Sequence, residues 1–283
     1  MVKSMKKWWP IFVVPTVAAF IIGFIVPFIR GLYLSFCKFT TINKATFVGL
    51  ENYIKAFEDT MFWDSMGFTV TFTIVSTILI NVCAFAVALA LTRDIKGTNL
   101  FRSVYFMPNL IGGIVLGYIW NILINCLLSI LGQPLIDLNP TAGFWGIVIL
   151  MCWQQIGYMM IIYIAGLQSI PNDYLEAARI DGASAATVLF KIKIPNVMPS
   201  ITICLFLTLT NSFKLFDQNL ALTAGDPFHS TEMLALNIYN NFYARAGAAW
   251  KGIGQAKAVI FCIAVVAISL IQLRATRSRE VQQ

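Results

Sequence analysis

MGFTVTFTIVSTILINVCAFAVALALT, Met66 to Thr92, is a run without one charged side chain, and reading it decides the fold class. As a helix at 1.5 Å per residue it is roughly 40 Å long, more than the about 30 Å of a bilayer's hydrocarbon core. Similar apolar blocks flank it, from Pro10 to Phe36, Val104 to Asn125, Phe144 to Leu167, Met198 to Leu222 and Lys257 to Leu273. The whole chain of 283 residues is 58% hydrophobic and only 12% charged, against about 25% charged in soluble proteins. Lipid is therefore its solvent. The expected fold is all-α: a polytopic membrane protein with six transmembrane helices forming a single domain over 1–283, its core spans over about 66–273.

Lys3, Lys6 and Lys7 precede the first block, as in a secretory signal peptide. The apolar run is longer than the usual signal core, however, and reaches Arg30 without a small-residue cleavage site. Orientation follows from the basic residues, which stay on the cytoplasmic side in short loops. With the N-terminus inside, the cytoplasmic segments hold Lys3, Lys6, Lys7, Arg93, Lys96, Arg102, Arg179, Lys191, Lys193, Arg274, Arg277 and Arg279. The basic residues left outside are matched by acids, so the excess behind the net charge of +7 lies inside. Both termini are expected to be cytoplasmic, and the positive balance reflects topology; no nucleic-acid partner is implied.

In the first outer loop, Leu50, Tyr53, Ile54, Phe57 and Met61 recur at helical spacing, with Glu51, Lys55, Glu58 and Asp59 between them. This predicts a short amphipathic helix on the membrane surface, under a partner, or against the protein's own rim. Pro108 and the pair Gly112-Gly113 weaken the start of the third span. The six cysteines form no CxxC pair and read as small packing residues.

The longest inner loop, about 169–198, contains IPNDYLEAARIDGAS from Ile170 to Ser184, then FKIKIP from Phe190 to Pro195. Asp173 and Glu176 have the spacing of a capping box. Gly182 can end a first helix in the left-handed conformation, Ser184 can cap a second, and Pro195 with Pro199 can stop it. Two exposed helices joined by a glycine corner suit insertion into a groove on another protein, or packing against the protein's own helices.

Glu176-Ala177-Ala178, Asp181-Gly182-Ala183-Ser184, Ile192, Ile194-Pro195 and Pro199 together resemble the EAA loop of permeases in binding-protein-dependent ABC importers. Phe213-Lys214-Leu215-Phe216-Asp217 and Gly49-Leu50-Glu51-Asn52-Tyr53 resemble the branch that imports sugars and glycerol phosphate. The resemblance covers nearly the whole chain and is closer to the maltose-type half that contacts substrate. It implies that Glu176, Ala177, Ala178, Asp181, Gly182, Ala183 and Pro195 couple the permease to an ATPase. It implies as partners a second homologous permease, two ATP-binding-cassette subunits, an extracellular solute-binding protein and a carbohydrate. It also places Gln154, Gln155, Tyr158, Thr208 and Ser212 where maltose-type permeases line their sugar site, although Gln155 stands where those have a glycine.

No G-x-x-x-x-G-K-S/T occurs, so the cradle for nucleotide phosphates is missing. ATP and magnesium are expected on the partner ATPase, with no cofactor, metal or catalytic constellation in this chain. The single histidine, His229, lies in an outer loop, which argues against membrane haem. Polar side chains gather instead in the fourth and fifth spans. Gln154 and Tyr158 share one helix face, and Thr208, Asn211 and Ser212 another. Two polar faces meeting across one cavity near the bilayer midplane would bind sugar hydroxyls; the same groups could bond between helices. Lys214 and Asp217, three apart, could form an ion pair or line the path. In an ion-coupled secondary transporter they would be the charge relay, but the inverted repeat expected there is not visible. Within the importer class, glycerol phosphate, an amino acid or a polyamine are the other cargoes.

Overall fold

Helices carry the apolar runs, because backbone in lipid must satisfy its own N–H and C=O groups. The computed structural model describes residues 2–93, 96–245 and 247–277. Residues 94 and 95 of the basic turn and the C-terminal Arg279 lie outside the described residues. In chain order the helices are α1 (Val2–Phe20), α2 (Val26–Leu34), α3 (Glu51–Glu58), α4 (Thr60–Leu91), α5 (Thr98–Phe106), α6 (Gly113–Ile130) and α7 (Pro140–Gln168). There follow α8 (Asn172–Ile180), α9 (Ala185–Val188), α10 (Ile194–Asn196), α11 (Met198–Phe213), α12 (Asp217–Leu222), α13 (Leu234–Tyr243) and α14 (Ala248–Arg277).

Five continuous stretches are long and apolar enough to cross a membrane: Val13–Leu34, Thr60–Leu91, Gly113–Ile130, Pro140–Gln168 and Ala249–Thr276. A bent pair, Ala185–Asn196 and Met198–Phe213 meeting at 70°, is long and apolar enough only when taken together, so the count is five spans or six. Two of the expected blocks are broken. The third stops at Phe106, passes through a 3-10 turn at Met107–Leu110 and restarts at Gly113, since Pro108 lacks an amide donor and Gly112 is extended at φ −62°, ψ 141°. The fifth stops at Phe213 and restarts at Asp217, with neither proline nor glycine at the break.

The chain divides into two units, Met1–Phe62 with Ile238–Cys262 and Trp63–Asn237 with Ile263–Gln283. In the first, a π-helical turn at Ile21–Ile25 joins α1 to α2, next to Pro27, whose missing N–H disturbs the helical register. An antiparallel hairpin, β1 (Cys37–Phe39) with β2 (Ala45–Phe47), is the one strand pairing among the described residues. Helix α3 is amphipathic as expected, but Leu50, Ile54 and Phe57 are exposed whereas Asn52 and Ala56 are buried. The reason is polar: Asn52 Nδ2 donates to the carbonyls of Ser35 and Cys37, both at 2.9 Å. Those bonds turn the apolar stripe outward.

The first unit also buries Lys257 completely, in α14. Its ammonium lies 2.7 Å from Asp59 Oδ2, and Arg245 reaches the same oxygen at 3.4 Å.

In the second unit α7 is the buried axis, with Ile147, Leu150, Met151, Met159, Met160 and Tyr163 all at or below 2% exposure. Asn139 starts it, its side chain accepting from Ala142 N at 3.1 Å, and Pro140 occupies the first turn, where no amide donor is needed. At Gly157 the helix meets α5 so closely that a Cβ would fall 1.8 Å from Tyr105 O. At Gly117 a Cβ would fall 2.5 Å from that of Ala221, so α6 and α12 touch backbone to backbone.

Candidate functional site

Around the break between α11 and α12, Met151, Gln155, Asn211, Lys214, Leu215, Phe216, Asp217 and Gln218 line an open recess of about 330 Å³. Gln155 is buried, yet its Oε1 has no hydrogen-bond partner. Met151 and Gln155, four apart on α7, turn one face to the recess.

The six residues expected to share one cavity are divided by the geometry. Gln155 and Asn211 meet in the recess. Gln154 is spent as a bridge: its Nε2 donates to Ile111 O at 3.2 Å, and its Oε1 accepts from Gln218 Nε2 at 2.7 Å. Tyr158 turns to Phe106, with ring centroids 6.4 Å apart. Thr208 and Ser212 face α4 instead. Thr208 Oγ1 accepts from Asn81 Nδ2 at 2.8 Å and donates to Cys204 O at 2.7 Å, while Ser212 Oγ accepts from Ser76 Oγ at 3.0 Å. Tyr163 OH donates to Asn81 Oδ1 at 2.6 Å and completes that interhelical network. The α4 partners Ser76 and Asn81 were missed from sequence, although Asn81, the one amide side chain in that uncharged run, was a visible signal. The ion pair allowed for Lys214 and Asp217 is not formed; with the helix interrupted between them, both are exposed on the recess.

The loop from α8 to α10 has the expected corner. Gly182 takes φ +70°, where a side chain is strained. Ser184 Oγ accepts from Thr187 N at 3.2 Å as the cap of α9. Two details differ. No side chain caps α8, so Asp173 and Glu176 form no capping box; Asp173 lies in the first turn as an acid favoured by the helix dipole. Pro195 does not stop the second helix: it lies inside α10, after a π-helical turn at Leu189–Lys193 that absorbs its missing donor. Ala177, Ala178 and Asp181 line a recess of about 400 Å³ with Tyr174, Lys191, Ile192 and Asn196. Ala183 lines another with Arg93, Arg179 and Lys193, and Glu176 is exposed.

Long apolar helices, a polar recess at a helix break and an exposed helical corner define a multi-pass membrane protein of the permease class. The chain belongs to the binding-protein-dependent transport system inner membrane components, whose family model matches residues 84–278. It is 43% identical to the probable starch degradation products transport system permease protein AmyD of Thermoanaerobacterium thermosulfurigenes, over 97% of this chain and 96% of that one. It is 31% identical to the multiple sugar-binding transport system permease protein MsmF of Streptococcus mutans, over 98% and 97% of the two chains. Among solved structures, a bacterial ABC transporter involved in import of the acidic polysaccharide alginate matches with a TM-score of 0.83, over 98% of each chain at 20% identity. That likeness is one of fold.

Proposed function

We propose that this chain is half of the membrane pathway of an ATP-driven importer for a neutral sugar or oligosaccharide, which an extracellular binding protein delivers. The observation that carries the substrate reading is Gln155, which lines the recess with Asn211 and whose buried Oε1 has no partner within the chain. A buried acceptor left unmet is costly, and a sugar hydroxyl is the donor that would meet it. The 43% identity with a permease named for starch degradation products supports the same class of cargo. A second, homologous permease closes the open side of the recess. ATP and magnesium belong to two ATP-binding-cassette subunits, since this chain has no phosphate cradle of its own. The Gly182 corner, with Glu176, Ala177, Ala178, Asp181, Ala183 and Pro195 around it, docks on one of them. Gln154 positions Gln218 on the recess, and Thr208 and Ser212 hold α11 to α4.

Two measurements test this. In importer reconstituted with its partners, Gln155→Ala and Asn211→Ala each weaken maltotetraose uptake at normal complex yield. The loss of one amide contact is worth about 1–2 kcal/mol, roughly five- to thirtyfold. Ser212→Ala lowers yield rather than uptake affinity. Unchanged uptake in both amide variants takes the sugar elsewhere. For topology, both termini and the Gly182 loop are cytoplasmic. A membrane-impermeant thiol reagent applied to intact cells therefore modifies Ser230→Cys strongly and Ala186→Cys at background level, both positions being exposed; equal modification refutes the orientation.

A further inference from the structure

We propose that Lys214 and Asp217 contact the transported substrate directly, the ammonium donating to and the carboxylate accepting from sugar hydroxyls, and that they are not a structural ion pair. The inference rests on the reading of the recess as the sugar path.

On a continuous helix a lysine and an aspartate three apart would pair along one face. Here the helix is interrupted between them: Lys214 follows the end of α11 and Asp217 opens α12. Each is exposed, and no ion pair joins them; among the described residues the salt bridges join other side chains. Charged groups within a membrane protein are expensive unless they face one another, water or a ligand. These two face the recess that Gln155 and Asn211 also line.

The donors and acceptors match a neutral polyol. The ammonium offers three donors, the carboxylate two acceptor oxygens, and Gln155 Oε1 one acceptor. Adjacent hydroxyls on a sugar ring can give to Asp217 and Gln155 while another oxygen accepts from Lys214. Met151, Leu215 and Phe216 supply an apolar wall for the C–H face of the ring. The two charges cancel, so an anionic or cationic cargo would meet a like charge without a compensating excess of the opposite one.

The test uses the complete reconstituted importer with maltotetraose as probe, reading uptake, complex yield and binding-protein-stimulated ATP hydrolysis. Lys214→Met and Asp217→Asn are expected to lower uptake about tenfold or more at wild-type yield. The charge-swapped double variant, Lys214→Asp with Asp217→Lys, is expected to do no better than the weaker single one, because a hydroxyl array reads donor and acceptor positions. Restored uptake in the swap would make the two an ion pair and overturn the inference. Wild-type uptake in both single variants, with Gln155→Ala impaired, would remove them from the path and leave the recess intact; wild-type uptake in Gln155→Ala as well would remove the recess itself. If the neutral variants lose yield, Lys214→Arg and Asp217→Glu keep the charges while moving the contact atoms. A sugar contact still costs about fivefold there, and wild-type uptake in both overturns the proposal.

Discussion

A Gly182→Val subunit is expected to reach the membrane and assemble at wild-type yield, yet to import roughly 30- to 150-fold less solute. Gly182 sits at φ +70° between α8 and the Ser184 cap, and nothing lies within 4 Å of where a Cβ would stand. The added side chain therefore meets no neighbour, and the penalty is one of backbone conformation. A β-branched residue in the left-handed region costs about 2–3 kcal/mol, which depopulates the docked corner by that factor. ATP hydrolysis should lose its stimulation by loaded binding protein in step with uptake. Gly182→Asn separates conformation from glycine itself, since asparagine tolerates positive φ; it should retain most of the uptake. Full coupling in the valine variant would show that the ATPase does not read this corner.

The second large effect is on stability. Asp59→Asn is expected to cost about 3–5 kcal/mol, the usual penalty for removing one partner of a buried ion pair. Lys257 is fully buried, with its ammonium 2.7 Å from Asp59 Oδ2. Burial by itself would raise the Asp59 carboxyl, but the Lys257 ammonium and the Arg245 guanidinium outweigh it and hold the group below the usual carboxylate range. The sign follows: with a depressed pKa, this contribution is complete above about pH 4, the unfolded value, and is lost as pH falls through the folded one. The amide abolishes it at every pH. Detergent-solubilised Asp59→Asn should unfold at a markedly lower temperature, and Asp59→Asn with Lys257→Met should recover most of the loss, because no buried ammonium is then left without the Asp59 carboxylate. A single variant as stable as wild type would mean that Lys257 is held by other groups.

The two effects differ in how far the sequence announces them. The Gly182 corner was legible because positive φ is a local property, and so was the Ser184 cap, whose Oγ accepts from the Thr187 amide three residues on. The Lys257–Asp59 pair was not, since its members stand 198 positions apart and a lysine at the mouth of an apolar run reads as a loop residue. Likewise Gln154 and Gln155 look equivalent in sequence, yet one is consumed by Ile111 and Gln218 and the other faces the recess. Only the rotation of α7 against its neighbours separates them.

The sequence by itself determined that the chain is helical and crosses the membrane repeatedly, because the length of an apolar run is measured along the chain against a fixed hydrocarbon thickness. It also marked the Gly182 corner, whose glycine and cap act over a few residues. Only the tertiary structure decided where the fifth apolar block breaks. No proline or glycine marks 214–216; the break follows from contacts distant in sequence. Ala221 packs into the space left by Gly117, and Asn219 binds Thr231 O at 2.8 Å and Met233 N at 3.0 Å. Those contacts hold α12 apart from the line of α11 and open the polar recess between them.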